Sequence, residues 1–358
     1  MVDDPVPLSE LRRALVIKLR HHGDVLLSSP VFSVLKNHAP QLEIDALVYA
    51  DTAPMLTLHP AISEVHCIDR GWKKAGLMRQ MSAELALLSK LRGRRYDLIV
   101  HLTDHPRGAW LTRLLGARWS VAPQANDKGR FWRSSFTHLY AQARKRHTVE
   151  LHLDALRRIG TYPSTGERRL VLTPGAEAEQ RVSTLLQQHG LAENQFIHIH
   201  PGSRWFFKCW PTDKTAALLD ALHKAGLQVV LTAAPEAREL ELIENILAQT
   251  HSPLINLAGQ LTLKELAALT ARARLFAGVD SAPMHIAAAM QTPTVVLFGP
   301  SGESYWAPWQ VQHRIITSNV HTCRPCGQAG CGGGKVSECL TTLPVERVLG
   351  AINELLST

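Results

Sequence analysis

No run in this sequence approaches the roughly 18 uninterrupted apolar residues that a membrane helix requires. The short apolar stretch near the start, within MVDDPVPLSELRRALVIKLRHHG, follows acidic residues and is too brief for the core of a secretion signal. Low-complexity tracts are absent. Charged residues make up 20% of the 358 positions against 45% hydrophobic, which argues against disorder. Two phosphate-binding fingerprints are also missing. No G-x-G-x-x-G follows the first strand-like run, which argues against a dinucleotide oxidoreductase. GCGGGKVS fails as a phosphate loop, because Ala329 stands at its leading glycine and Val336 follows Lys335 where Ser or Thr belongs. Nor is there an Asp-x-Asp pair to hold a divalent ion on a diphosphate. The expectation is a soluble cytoplasmic protein with a sizeable core, long enough for two domains.

Cysteine is scarce, and four of the six bunch late in CRPCGQAGCGGGKVSEC: Cys323, Cys326, Cys331 and Cys339. In a cytosolic protein such a bunch suggests a metal before a disulfide. The spacing is looser than the paired C-x2-C units of a zinc ribbon, so ordinary or redox-active thiols are favoured over a structural metal. No metal is expected at the working site.

Charge is abundant but uneven. Residues 1–150 hold 22 Lys and Arg against 14 Asp and Glu, and the remainder balances at 17 of each, so the net +8 belongs to the first half. Any single cluster, such as RGWKK, KLRGRR or ARKRH, reads as a solvated face. The asymmetry of a whole domain suggests an anionic partner: a phosphorylated substrate, nucleic acid or an acidic membrane surface.

Apolar strand-like runs alternate with helical patterns. In the first half the strands are 14–19, 44–49, 65–68 and 96–101, with amphipathic segments at 27–38 and 77–93 between them. In the second they are 196–200, 227–232, 254–257, 275–277 and 294–298, separated by helical patterns at 177–190, 212–225, 235–249, 263–272 and 283–290. Repeated strand–helix–strand order indicates parallel sheets with crossover helices. The stretch 159–180 is rich in Gly, Pro, Ser and Thr and reads as a linker. Two doubly wound α/β domains are expected, residues 1–165 and 166–343, facing each other across a cleft. A last helix within 344–358 is a candidate to return to the first domain.

Ligands in such sheets bind beyond the carboxyl ends of the strands, so the strand-to-helix corners carry the chemistry. At the first corner, KLRHHGDVLLSSP, Asp24 stands beside His21 and His22. An Asp here commonly caps a helix, but Ser28, Ser29 and Pro30 supply start signals downstream. That leaves Asp24 in a loop, able to take a proton from a hydroxyl nucleophile. At the second, HIHPGSRWFFKCWP, Ser203 lies in a strand-end turn that suits an oxyanion, with Lys208 as a point charge. The third, LFAGVDSAPMHIAAA, runs a buried strand into Asp280 and Ser281. A helix of small residues follows, opening at Ala282 and Pro283 and carrying His285 on its first turn: a phosphate site.

These three corners together, with HTVELHLDALRRIG before the linker, resemble glycosyltransferase family 9, the ADP-heptose:lipopolysaccharide heptosyltransferases. The resemblance spans nearly the whole chain. KLRHHGDVLLSSPVFSVLK, GVDSAPMHIAAA and FGPSGESYWAPW are most like the heptosyltransferase III branch, which adds a side-branch heptose to the inner core. It implies a GT-B fold and an inverting single displacement from ADP-L-glycero-β-D-manno-heptose, with no cofactor. It implies Asp24 as the general base, Ser203 and Lys208 on the diphosphate, and Asp280 on heptose hydroxyls. Ser281 and Ala282 would offer N–H groups to phosphate, His285 would match the motif histidine, and Glu236 would hold the ribose. Many members have glycine where this chain has Ala282. The implied acceptor is a lipid-anchored, phosphorylated core oligosaccharide at the cytoplasmic face of the inner membrane. Lys18, Arg20, His22, Arg107, Lys128 and Arg130 are its candidate contacts. Other readings are a family member with another core acceptor, a GT-B enzyme with a UDP- or GDP-sugar donor, and a zinc-bearing nucleic-acid binder. The last is disfavoured because the bases are not interleaved with stacking aromatics and the cysteines sit in the neutral half. The oligomeric state and the acceptor hydroxyl are not readable.

Overall fold

The computed structural model describes every residue except Met1, Val2, Ala75 and Thr358. The chain divides into two compact units at Thr173/Pro174, inside the stretch read as a linker.

The first unit holds six parallel strands: β1 (Arg13–Ile17), β2 (Glu43–Tyr49), β3 (Glu64–Ile68), β4 (Leu98–His101), β5 (Trp119–Pro123) and β6 (His138–Tyr140). Their order is β3-β2-β1-β4-β5-β6. The second holds β7 (Phe196–His200), β8 (Gln228–Leu231), β9 (Ile255–Asn256), β10 (Leu275–Val279), β11 (Thr294–Phe298) and β12 (His313–Thr317), ordered β12-β11-β10-β7-β8-β9. In both, the strand that comes first in sequence lies in the middle of the sheet. The chain winds outward on one side and then returns to start the other. The gap above β1/β4 and above β7/β10 is therefore the topological switch point, where such sheets bind ligands.

Central strands are buried from both faces and read as continuous apolar runs: β4, β7, β10 and β11 are buried throughout. Crossover helices cover them. In the first unit these are α1 (His22–Leu26), α2 (Ser29–His38), α3 (Leu77–Arg94), α4 (Pro106–Leu115), α5 (Gly129–Arg133) and α6 (Thr148–Arg158). In the second they are α7 (Ala176–Gln188), α8 (Thr212–Lys224), α9 (Ala237–Leu247), α10 (Leu263–Ala271), α11 (Ala282–Ala289), α12 (Glu303–Trp306), α13 (Glu338–Thr341) and α14 (Val345–Leu356).

Three strands escaped the sequence pattern. β5 ends in proline, β6 has three residues, and β12 is a half-exposed edge. Two expectations need correction. The last helix, α14, expected as a candidate to return to the first unit, is part of the second. Its apolar face, Val348, Ile352 and Leu355, packs with Leu218, Leu219 and Leu222 of α8 in the second core. Asp24 is not in a loop: it lies in the first turn of α1, and Ser28 turns its hydroxyl back to the Val25 carbonyl at 2.6 Å instead of capping α2.

Gly278 is where close packing at the second switch point requires glycine. A Cβ there would sit 2.7 Å from the His200 carbonyl oxygen of the adjacent strand and 3.0 Å from the Phe276 ring. Both neighbours belong to the rigid sheet, so Gly278→Ala should destabilise by about 1–3 kcal/mol. The check is a lowered denaturation midpoint with an unchanged m-value.

Candidate active site

At the first switch point β1 delivers Lys18. Its backbone N–H still pairs with Leu47 at 3.0 Å, which sends its side chain to one face of the sheet. There it is buried, 5% exposed. Its Nζ lies 3.1 Å from the Leu102 carbonyl oxygen, 2.8 Å from His152 Nε2 and 3.8 Å from Asp24 Oδ1. Asp24, with 20% of its side chain exposed, is thus backed by a buried cation. Burial pulls the Lys18 ammonium down to about 8, against the opposing pull of Asp24. Burial likewise drives His152 well below the usual histidine range and His101 to about 4, so both rings are neutral. Lys18 is therefore not at the surface expected of an acceptor contact.

The other acceptor candidates separate into two groups. Arg20 pairs with Asp104 at 2.7 Å, and its carbonyl accepts from Arg70 at 2.9 Å. Arg70 also holds Asp51 at 2.6 Å and stacks over Tyr49, while His22 Nε2 meets the Asp51 carbonyl at 2.9 Å. Arg107, ion-paired with Glu84, lines with Arg70, Trp72 and Tyr49 a cavity of about 300 Å³. Arg20, His22 and Arg107 are thus linked through Arg70, which in the sequence stands only as part of the RGWKK cluster. Its position one residue after Asp69 at the end of β3 was the available signal. Lys128 and Arg130 belong instead to the turn Asn126–Lys128 and to α5, and neither lines that cavity.

At the second switch point β7 runs into Pro201 and Gly202. Ser203 is buried and its hydroxyl accepts the Trp205 N–H at 3.3 Å. Lys208 closes a 3-10 turn and reaches Asp280 Oδ2 at 2.6 Å. Asp280 ends β10 and is 5% exposed. Ser281 then precedes α11, giving its hydroxyl to the Val279 carbonyl at 3.3 Å, so the first N–H groups of α11 are not capped by it. Pro283 lies at the start of that helix, and His285 is buried 6.3 Å from the Trp306 ring. Lys208, Ser301, Tyr305, Trp306 and Cys326 border a cavity of about 400 Å³. The Ser301 hydroxyl is buried there without a hydrogen-bond partner.

Glu236 is exposed ahead of α9. The carboxylate buried at this corner is Glu239, which accepts the Ala234 N–H at 3.1 Å and lies 3.8 Å from His200 Nε2. Burial pushes its carboxyl up, and burial also holds His200 at about 4. A Cβ at Gly202 would stand 2.5 Å from Glu239 Oε2, so that glycine is what admits the carboxylate. Sequence spacing alone does not separate Glu236 from Glu239.

Three of the four late cysteines are exposed and Cys339 is buried. Among the described residues, no three of their sulfurs lie within 4.8 Å of one another, and the group that does converge is Asp45, Glu64 and His66. Asp45 there is already saturated. Burial would raise its carboxyl, but hydrogen bonds from His66, Arg94 and Tyr96 bring it down to about 2. It also sits near the start of β2, away from the strand ends where the sites lie.

A family model described as glycosyltransferase family 9 (heptosyltransferase) matches residues 84–336. The chain belongs to this family. Among curated relatives, it is 39% identical over 293 residues to lipopolysaccharide heptosyltransferase 3 of Escherichia coli, covering 81% of this chain and 84% of that one. It is 26% identical over 333 residues to lipopolysaccharide heptosyltransferase 1 of Pseudomonas aeruginosa. Solved structures confirm the fold. A family 9 glycosyl transferase from Veillonella parvula superposes with a TM-score of 0.84 over 99% of both chains at 22% identity. ADP-heptose lps heptosyltransferase II of E. coli gives 0.75 over 96% and 98% at 23%. The fold is GT-B and the protein is a glycosyltransferase.

The pair Lys208–Asp280 generates a test of its own. Lys208→Met leaves a carboxylate buried without its cation and should cost about 3 kcal/mol. Adding Asp280→Asn should recover part of that loss. Equal and additive losses in a double-mutant cycle would show that the pair is not coupled.

Proposed function

We propose that this glycosyltransferase transfers a heptosyl group from ADP-heptose to a heptose of the lipopolysaccharide inner core, as a heptosyltransferase 3. The observation that carries the reading is the 39% identity to a relative of that name across most of both chains. The corners supply chemistry that fits it. The Asp24 carboxylate takes the proton from the acceptor hydroxyl as that oxygen attacks the anomeric carbon. The bond to the diphosphate breaks with inversion, and ADP leaves carrying the electron pair. Lys208 and the first-turn N–H groups of α11, from Ala282 onward, offset the charge that develops on the diphosphate. Asp280 and Ser203 orient the donor, and a carboxylate after β8, Glu236 or Glu239, holds the ribose. Arg20, His22, Arg70 and Arg107 form the basic group on the acceptor side.

The decisive assay measures ADP release from ADP-heptose with inner-core lipopolysaccharide lacking the branch heptose, and without acceptor. Acceptor-dependent release is expected. Asp24→Ala should lower it at least about 100-fold while ADP-heptose still binds, whereas Lys208→Ala should weaken donor binding. Competition by UDP or GDP in place of ADP would overturn the donor assignment.

The acceptor is lipid-linked in this reading, so the protein works against the cytoplasmic face of the inner membrane as a peripheral protein. No helix among the described residues is long and apolar enough to cross a membrane. The first unit does carry an apolar stripe on α3: Leu77, Met78, Met81 and Leu85, 61–87% exposed. On α4, which Arg92 of α3 joins through the Leu114 carbonyl at 3.1 Å, Trp110 is also exposed and packs 4.6 Å from Phe131. Residues 70–133 contain fourteen Lys and Arg against four Asp and Glu. An apolar stripe within a basic segment suits an anionic bilayer surface. The protein should co-sediment with vesicles containing phosphatidylglycerol, less at high salt, and not with pure phosphatidylcholine. Replacing Met78, Met81 and Leu85 together by Ser should abolish co-sedimentation with the fold intact. Retained binding would move the contact elsewhere.

A further inference from the structure

We propose that Lys18, held by His152, is a positioning residue that fixes the orientation of the Asp24 carboxylate for the transfer. This rests on the reading of Asp24 as the base.

The hydrogen bonds fix who donates. His152 Nδ1 lies 3.0 Å from the Leu27 carbonyl oxygen, which can only accept, so Nδ1 carries the hydrogen. The ring is neutral, so Nε2 offers a lone pair, and Lys18 at 2.8 Å must be its donor. The Leu102 carbonyl at 3.1 Å takes a second ammonium hydrogen. Asp24 Oδ1 at 3.8 Å faces the remaining charge. Three acceptors of different kinds, a carbonyl, an imidazole lone pair and a carboxylate, surround one buried ammonium. That set is built for the cation, not for a neutral amine.

The same residues also hold α1 in place. Leu27 closes α1, and its carbonyl is the anchor for His152 of α6. Lys18 meets the acidic side chain in the first turn of the same helix. Through His152 and Lys18 the orientation of Asp24 is thus tied to both the sheet and α6. When Asp24 accepts a proton and loses its charge, Lys18 keeps two of its three partners, so the cation is not stranded. Around this pair the charged and titratable groups are Arg20, paired with Asp104 beyond β1 and β4, His101 on β4 and His147 before α6. The Arg20–Asp104 pair offsets itself and the buried His101 and His152 rings are neutral, which leaves Lys18 as the cation within 4 Å of Asp24 among the described residues.

The test is the pH dependence of acceptor-dependent ADP release. In wild type, activity should fall on the alkaline side as Lys18 loses its proton. Lys18→Met should lower kcat at least about 10-fold at neutral pH, with the KM for ADP-heptose within about twofold. With no lysine left to lose its proton, the alkaline limb should vanish. Lys18→Arg, which stays charged, should restore part of the activity and move the alkaline limb to higher pH. A purely structural role would scale the whole profile without moving the alkaline limb, and that result overturns the proposal. His152→Leu removes one acceptor of the ammonium and should shift the alkaline limb to lower pH. It reads the same coupling if Lys18→Met does not fold, and an unmoved limb there counts against the proposal equally. Asp24→Asn separates the two readings. If it stays active, the base assignment fails. If it is inactive while the alkaline limb of Lys18→Met stays at its wild-type position, only the role of Lys18 fails.

Discussion

Each unit depends on one constraint of parallel sheets: the strand made first ends in the middle, flanked on both sides by strands the chain reaches through crossover helices. Backbone ladders and apolar packing fill the sheet, but at its carboxyl edge the two windings part and leave polar chain ends facing a gap. β1 and β4 deliver Lys18, Asp24, His101 and Asp104 there. β7 and β10 deliver Ser203, Lys208 and Asp280 at the equivalent position of the second sheet. The repeated strand order therefore decides where chemistry can be placed before any individual side chain is considered. Gly278 and Gly202 show how tightly that edge is built, since a Cβ at either would collide with the sheet or with Glu239.

Lysine–carboxylate pairs occur at both gaps, and their geometry differs in a way that matters. At the second, Lys208 and Asp280 touch at 2.6 Å, so both are engaged with each other until a ligand shares them. At the first, 3.8 Å separates Lys18 from Asp24, and Lys18 makes its short contacts to Leu102 and His152 instead. The looser pair leaves the carboxylate oxygens of Asp24 open to accept. A carboxylate proposed as a base needs that freedom. A pair proposed to hold a donor, whose lysine need only move from a carboxylate to a phosphate, does not.

Much of this was legible in the sequence where the physics is local. Long apolar runs gave the central strands because burial on both faces demands them, and SAPMHIAAA gave α11 because proline and small residues start and pack a helix. Strands β6 and β12 were missed because they are short or at an edge, where burial does not select residue type, and β5 because its buried run is broken by Ser120 and ends in proline. The end of the chain misled for another reason. The face of α14 is apolar whichever unit it covers, and only the complementary face of α8 decides.

Site residues follow the same division. Asp24, Lys208 and Asp280 stand next to turn and helix-start signals, so their placement could be read. Lys18 could not, since both it and Arg20 follow β1 within three residues and nothing in the sequence says which of the two turns inward. Arg20 stays at the surface with Asp104, whereas Lys18 enters a space whose far wall is His152, 134 positions along the chain. Burying a lysine is costly unless acceptors await it. Those acceptors come from β4 and α6, elements with no sequence link to β1, so the inward lysine becomes intelligible only once the sheet has brought them together. The same holds for Glu239, which is admitted by the missing side chain of Gly202, while Glu236, three residues earlier, remains in solvent. In both corners the charged group that matters was chosen by what the fold left open beside it.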